Sequence, residues 1–400
     1  MSAWEKSNRR ERATQALPVL FGFVILPFSF YYAVGLLLTK FSKGWLIVTL
    51  LEKTLTQVIP VNRELLPLIE AHLNNLIKPH GSLGRLEDIA ARYCLICGNA
   101  APQLGRKAVV CFAADHGVAA EGVSAYPANV TPQMVRGILN GDAAVSVLAR
   151  HADVELLVVD TGVNDPMEGM AGLLRHKVAY GTRNMAQGPA MEIDEARRAL
   201  EVGILMADEV YARGVRMVAT GDMGIANTTA AAALCAAYLQ CDPDKVTGRG
   251  TGIDETQRRH KLEVVRRALS VNSGSLDNPL TTLAALGGLE IAGICGLVLG
   301  AAARRMAVVV DGFISTASAL AAVRLVPAAA DYLFFGHQSH EQGHSVVLDA
   351  LGAKPILNLG MRLGEGTGAV LAMQIIEAAV KTYLEMGTFD GVGVSLMLEK

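Results

Sequence analysis

Glu365 stands between two glycines in LGMRLGEGTGA (residues 359–369), at the end of an apolar run and directly before a stretch that reads as helix. Glycine on both sides lets a ligand and the backbone approach closely. Ile356, Leu357, Leu359 and Leu363 supply dry walls, which raise the proton affinity of an unpaired carboxylate. That is the setting of a general base; the alternative is a carboxylate that serves the N-terminus of the following helix. Two glycine-rich segments add anion chemistry. GDMGIANTTAAA (221–232) ends a strand in a turn and presents Asn227, Thr228 and Thr229 at a helix start, where free backbone N–H groups attract an anion. GRGTGIDE (248–255) is a second nest, carrying Gly250, Thr251, Gly252 and Arg249. Singly, each also reads as a tight turn with a good cap; together, beside polar strand ends, they point to a phosphorylated sugar. GHQSHEQGH (336–344) places His337, His340, Glu341 and His344 at spacings that would gather metal ligands on one helix face.

Alternating strands and helices must hold these groups. Short β-rich runs at 107–114, 154–159, 215–219, 306–310 and 332–335 end in Asp115-His116-Gly117, Asp160-Thr161-Gly162, Thr220-Gly221-Asp222, Asp311-Gly312 and Gly336-His337. Helix-sized segments lie between them at 135–151, 193–213, 227–240, 256–270, 289–304 and 315–326. The repeat predicts an α/β fold: a Rossmann-like, mostly parallel sheet with helices on both faces, and ligands bound where the strands end. No GxGxxG follows the first strand and no GxxxxGK[ST] occurs, so neither a dinucleotide fingerprint nor a P-loop is supported. Pro79 and Gly81 break the chain before a helix that Ser82 is expected to cap. Residues 51–80 and 370–400 are expected to form a small helical subdomain beside an α/β domain at 81–369.

Four hundred residues suggest two or three domains, and a net charge of −2 gives no electrostatic argument for nucleic acid. The apolar fraction of 51%, with 5% aromatics and 40 glycines, fits closely packed helices on a sheet. Six scattered cysteines suggest a reducing cytosol, and the lone CxxC of Cys94 and Cys97 lacks a second ligand pair for zinc. The N-terminus differs. Residues 16–38 carry no charge and are long enough to cross a bilayer. Lys6, Arg9, Arg10 and Arg12 before this run would put the rest of the chain outside the cytosol, which conflicts with the cysteines. The favoured reading is a start near residues 48–51, with 1–50 as an added extension; membrane contact is expected only if residues 16–38 are expressed.

In order along the chain, KPHGSLGRLE, ADHGVAAEGVSAYPANVTPQMV, GDMGIANTTAAAAL, GRGTG, GGLEIAG, VDGFISTASAL, GHQSHEQGH and LGMRLGEGTGA resemble the nicotinate-nucleotide–dimethylbenzimidazole phosphoribosyltransferase family over roughly residues 51–400. The resemblance implies transfer of 5-phosphoribose from nicotinate mononucleotide to 5,6-dimethylbenzimidazole, giving α-ribazole 5′-phosphate and nicotinate in cobalamin nucleotide-loop assembly. It implies that Glu365 is the general base, that Asp222 contributes to activity and that Lys261 meets the phosphoribosyl group or the leaving carboxylate; a solvated helix lysine is the alternative for Lys261. The aromatic base is expected against Tyr126, Gln133, Met223, Leu363 and Glu365. Phosphate is expected at Gly250, Thr251 and Gly252 with Asn227 and Ser339 close by, and ribose beside Asp311 and Gly312. No metal and no cofactor are expected, because Ser339 and Gly343 match the family motif while His340 falls where it is free. The resemblance also suggests a homodimer, and the cytoplasm is the expected location. Two other readings remain: a non-catalytic nucleotide or benzimidazole sensor, and a metal-dependent hydrolase.

Overall fold

The computed structural model describes residues 36–41, 44–250 and 252–392, and the chain divides into two compact units, residues 1–49 and 50–400. In the first unit, Leu36–Phe41 pairs antiparallel with Gly44–Thr49. Most of the apolar run at 16–38 lies outside the described residues. Among the described residues, no helix is long and apolar enough to cross a membrane.

The second unit is built on a six-stranded sheet: β1 (Arg106–Ala114), β2 (Glu155–Gly162), β3 (Leu173–Arg175), β4 (Val215–Met223), β5 (Ala307–Val310) and β6 (Leu333–Phe335). Their order across the sheet is β3-β2-β1-β4-β5-β6, and every neighbouring pair is parallel. β1 is buried without interruption from Ala108 to Ala114, and β5 along its whole length. A continuous apolar run rather than an alternating one marks a parallel strand covered on both faces. Strand order runs outward from β1 in one direction and then, from β4, in the other. Right-handed crossovers therefore place helices on opposite faces of the two halves and open a crevice where the order reverses.

The helices behave as their composition dictates. Asn227–Leu239 and Leu289–Ala303 are apolar around most of their circumference, the pattern of a helix buried on all sides, and nearly all of their residues are inaccessible. Leu289–Ala303 packs along Ile193–Ala212 and across β1, β2 and β4. Thr367–Glu385 packs on β4 and β5 and against the Arg85–Cys97 helix, while Leu76 bridges to Thr388. Cys94 is buried in the Arg85–Cys97 helix and Cys97 is half-buried.

Three expectations fail locally. Residues 135–151 are not one helix: Val130–Asn140 ends at Gly141, whose φ of 88° reverses the chain, and a second helix runs Ala144–His151. Ser82 does not cap the helix after it, because the helix begins beyond Gly84 and has no side-chain cap; the Glu87 carboxylate instead accepts from the Leu83 N–H. The three-residue β3 was not expected, being too short for periodicity to register.

Candidate active site

A cavity of about 320 Å³ opens beyond the C-terminal ends of β4, β5 and β6. Its walls come from Asp222 to Ile225 at the end of β4, Gly312 to Ile314 after β5, His337, Ser339 and Glu341 after β6, and the 362–365 turn. Val130 and Met134 close it from the Val130–Asn140 helix, with Tyr126 at the rim. A larger cleft of about 710 Å³, lined by residues between 61 and 95 and between 330 and 356, contains none of the expected catalytic or substrate-binding residues, but it takes Ile356, which was expected as a wall around Glu365.

The 362–365 turn is held in an uncommon conformation. Gly364, Glu365 and Gly366 all have left-handed φ values, 90°, 64° and 98°. For a glutamate this region is disfavoured, and such residues concentrate where function requires them. Glu365 is 3% exposed, and its Oε2 has no hydrogen-bond partner in the protein. Burial raises its proton affinity and so does nearby Asp311, while the Val145 N–H, in the first turn of Ala144–His151, draws it down. The net shift is upward, toward the working range of a base.

Asp222 faces the same space from β4. Its Oδ2 accepts from the Asn227 amide at 3.1 Å, and its Oδ1 is buried without a partner. Burial, followed by the fields of Asp311 and Glu290, pushes its carboxyl well above the ordinary range, so it favours the protonated form.

Cationic chemistry lies opposite. Lys261 is 1% exposed, and its ammonium donates to Thr228 Oγ1 at 2.7 Å. Burial lowers it to about 8, against the pull of Glu341. A Cβ built on Gly250 would stand 3.3 Å from Lys261 Nζ, so the glycine nest, the lysine and the start of the Asn227–Leu239 helix converge. Backbone N–H groups, a hydroxyl and an ammonium together make an anion cradle.

The phosphoribosyltransferase family model matches residues 58–394. The nicotinate-nucleotide–dimethylbenzimidazole phosphoribosyltransferase of Chlorobaculum parvum is 54% identical over 344 residues, 86% of this chain and 98% of that protein. The protein of that name from Geobacter sulfurreducens is 52% identical over 348 residues, 87% of this chain and 99% of its own length. Among solved structures, CobT from Thermus thermophilus superposes with a TM-score of 0.79 at 45% identity, covering 86% of this chain and 99% of that one. The chain belongs to this phosphoribosyltransferase family.

In this phosphoribosyltransferase, Glu365, Asp222, Met223, Asn227, Gly250, Gly312, Ser339, Leu363 and Tyr126 all line the one cavity. Lys261 stands just behind it through Thr228 and is not a solvated helix lysine. Three expected residues are elsewhere. Gln133 is exposed and is not part of the cavity wall; its neighbour Met134 is, one turn after Val130. Asp311 is fully buried and lies behind the wall rather than beside a ribose. Gly252 does not reach the wall, and Thr251 lies outside the described residues.

The 336–344 segment is not a helix face of metal ligands. Its helix begins only at Gln342, so His337, His340 and Glu341 precede it. His344 spends both ring nitrogens on the protein: Nδ1 accepts from the Ser339 N–H at 2.8 Å, which leaves the proton on Nε2 to meet Thr316 Oγ1 at 2.9 Å. Burial and neighbouring His337 hold His344 down to about 3, so it is neutral and pins Ser339. Among the described residues, no three His, Cys, Asp or Glu side chains are grouped to hold a metal ion.

Sequence reasoning missed Glu341, Arg362 and His337 as cavity residues. Glu341 is 9% exposed, and its Oε2 lacks a partner beside the Lys261 cradle. Both nitrogens of buried His337 are also without hydrogen-bond partners, and Nε2 lies 3.7 Å from Asp311 Oδ1. For His337 and Glu341 the signal was present in GHQSHEQGH, whose spacing also fits metal ligands; Arg362 lies outside that motif. Val130 and Met134 were recoverable from their i, i+4 spacing.

Proposed function

We propose that this enzyme moves 5-phosphoribose from nicotinate mononucleotide to 5,6-dimethylbenzimidazole, with Glu365 as the general base. The observation that carries the reading is the buried, partly unpartnered Glu365 carboxylate, held in a left-handed turn on an apolar cavity that also meets an anion cradle. Val130, Met134, Met223, Ile225, Phe313, Ile314 and Leu363 offer the flat, dry walls that an aromatic base requires. The Lys261, Thr228 and Gly250 cradle suits the donor's 5-phosphate.

In the reaction, one benzimidazole nitrogen attacks C1′ of the phosphoribose. The bond from C1′ to the pyridinium nitrogen breaks, its electron pair leaves with nicotinate, and the anomeric configuration inverts. Glu365 takes the proton from the other benzimidazole nitrogen. A deprotonated Glu365 with raised proton affinity suits that transfer, and burial supplies both properties. Asp222, held by Asn227 and favouring the neutral carboxyl, serves as a hydrogen-bond donor toward the sugar rather than as a second anion. Attack on a cationic pyridinium donor asks for no added electrophile.

A homodimer and a cytoplasmic location belong to the same reading. Tyr126 and Leu363 line the cavity while 52% and 58% exposed, so a second copy has an apolar rim to cover. All six cysteines are free thiols, which suits a reducing compartment.

The test is nicotinate release from nicotinate mononucleotide, with and without 5,6-dimethylbenzimidazole, for the wild type and Glu365→Gln. Release that needs the base and collapses in the variant supports the transferase. Tight binding of the base without release would instead indicate a sensor.

A further inference from the structure

We propose that Asp311 is a positioning residue: from behind the cavity it locks the Gly364–Glu365–Gly366 turn and so aims Glu365 at the substrate. This rests on the reading of Glu365 as the base.

Asp311 follows β5 directly and is fully buried. Its Oδ2 accepts from the Gly366 N–H at 3.2 Å, and its Oδ1 accepts from the Ala369 N–H at 2.9 Å. The Thr367–Glu385 helix has Gly366 at its N-cap and no capping side chain of its own, so a residue distant in sequence supplies the cap. Asp311 is itself fixed, because its N–H donates to Thr220 Oγ1 at 3.1 Å on β4. One residue thus ties β4, through its N–H, to the strained turn and the helix start, through its carboxylate. The turn needs such a tie, since a glutamate in the left-handed region, unlike the glycines that flank it, persists only where surrounding contacts enforce it.

The same carboxylate acts on Glu365 electrostatically. The groups whose charge reaches Glu365 and its turn are Asp311, Asp222 and the Cys111 thiol, with His337 Nε2 3.7 Å from Asp311 Oδ1 and with Arg362, Glu341 and Lys261 around the cavity. Burial raises the proton affinity of Asp311 itself, while the field of His337 and the Ala369, Gly366 and Gly368 N–H groups draw it down. In its charged form Asp311 favours the protonated form of Glu365. Removing its charge therefore moves the proton loss of Glu365 to lower pH, an effect that a purely structural role would not produce.

Asp311→Asn keeps the shape but turns an amide N–H₂ toward one of the two backbone donors. Single-turnover nicotinate release should fall on the order of 100-fold, as expected for misplacement of a base by about 1 Å, with KM for either substrate changed by less than about threefold. The acidic limb of the rate profile should move to lower pH. In a Glu365→Gln background the same substitution should cost less than about threefold, because its effect passes through Glu365. Thr220→Val, which loosens Asp311 without altering charge, should give a smaller loss of about three- to tenfold that also disappears in that background. It carries the test should Asp311→Asn lose its cooperative melt. Equal losses with and without Glu365, or an unmoved kcat in the folded variant, overturn the proposal. A wild type that never releases nicotinate instead overturns the reading of the reaction.

Discussion

A Cβ built on Gly221 would stand 2.4 Å from the carbonyl oxygen of Glu365, so the strand residue beside Asp222 lies in backbone contact with the turn that carries the base. Real Cβ atoms do not approach a backbone oxygen so closely, and neither backbone has a flexible end that can yield. Gly221→Ala must therefore push the Glu365 turn outward. We expect nicotinate release to fall by about 100-fold or more, from a displacement of about 1 Å, in a protein that still melts cooperatively. Steady-state rates and a thermal melt check this; an alanine variant at full rate refutes it.

Glu365→Gln keeps the shape and removes the base. kcat should drop by about 10²- to 10⁴-fold, the range for loss of a general base, with little change in KM for the benzimidazole.

The carboxylates of the site also oppose folding. In the folded protein, Glu365 and Asp222 both hold protons more tightly than in the unfolded chain. Below the unfolded value, both states are protonated and there is no penalty. As pH rises through the unfolded value toward the folded one, the unfolded chain gives up the proton first and stability is lost. Glu365→Gln and Asp222→Asn should therefore melt at higher temperature than the wild type at pH 8. The gain should shrink toward pH 4, and melting curves across that range decide the matter.

Activity should follow a bell-shaped profile. The base must be deprotonated, so the rising limb lies above the ordinary glutamate value of about 4.3. The cradle needs Lys261 charged, so kcat/KM for nicotinate mononucleotide should fall on the alkaline side as Lys261 loses its proton near about 8. A rate that keeps climbing beyond pH 9 contradicts this assignment.

Lys261→Met removes that charge while retaining most of the buried volume. Donor KM should rise about 10- to 100-fold, the worth of a charge-assisted hydrogen bond, and the alkaline limb should vanish. Titrating donor concentration across pH separates this from a fall in kcat.

The alternation of strands and helices is legible along the chain, because buried parallel strands are continuous apolar runs and their helices are long enough for a 3.6-residue period to register. The sequence also marked most of the site, since glycines and polar residues at strand ends, such as Gly221-Asp222 and Gly312, are local signals of ligand chemistry. Eight ordered motifs carried the family. Only the tertiary structure separated Asp311 from the cavity wall. Asp-Gly after a strand looks the same whether its carboxylate meets a ligand or caps a helix more than fifty residues away. Gln133 and Met134 are adjacent, and which one faces the cavity depends on the helix's rotation against β4. The proton affinities of Glu365, Asp222 and Lys261 were likewise decided by folding, because burial and the fields of distant residues set them, and neither exists along an extended chain.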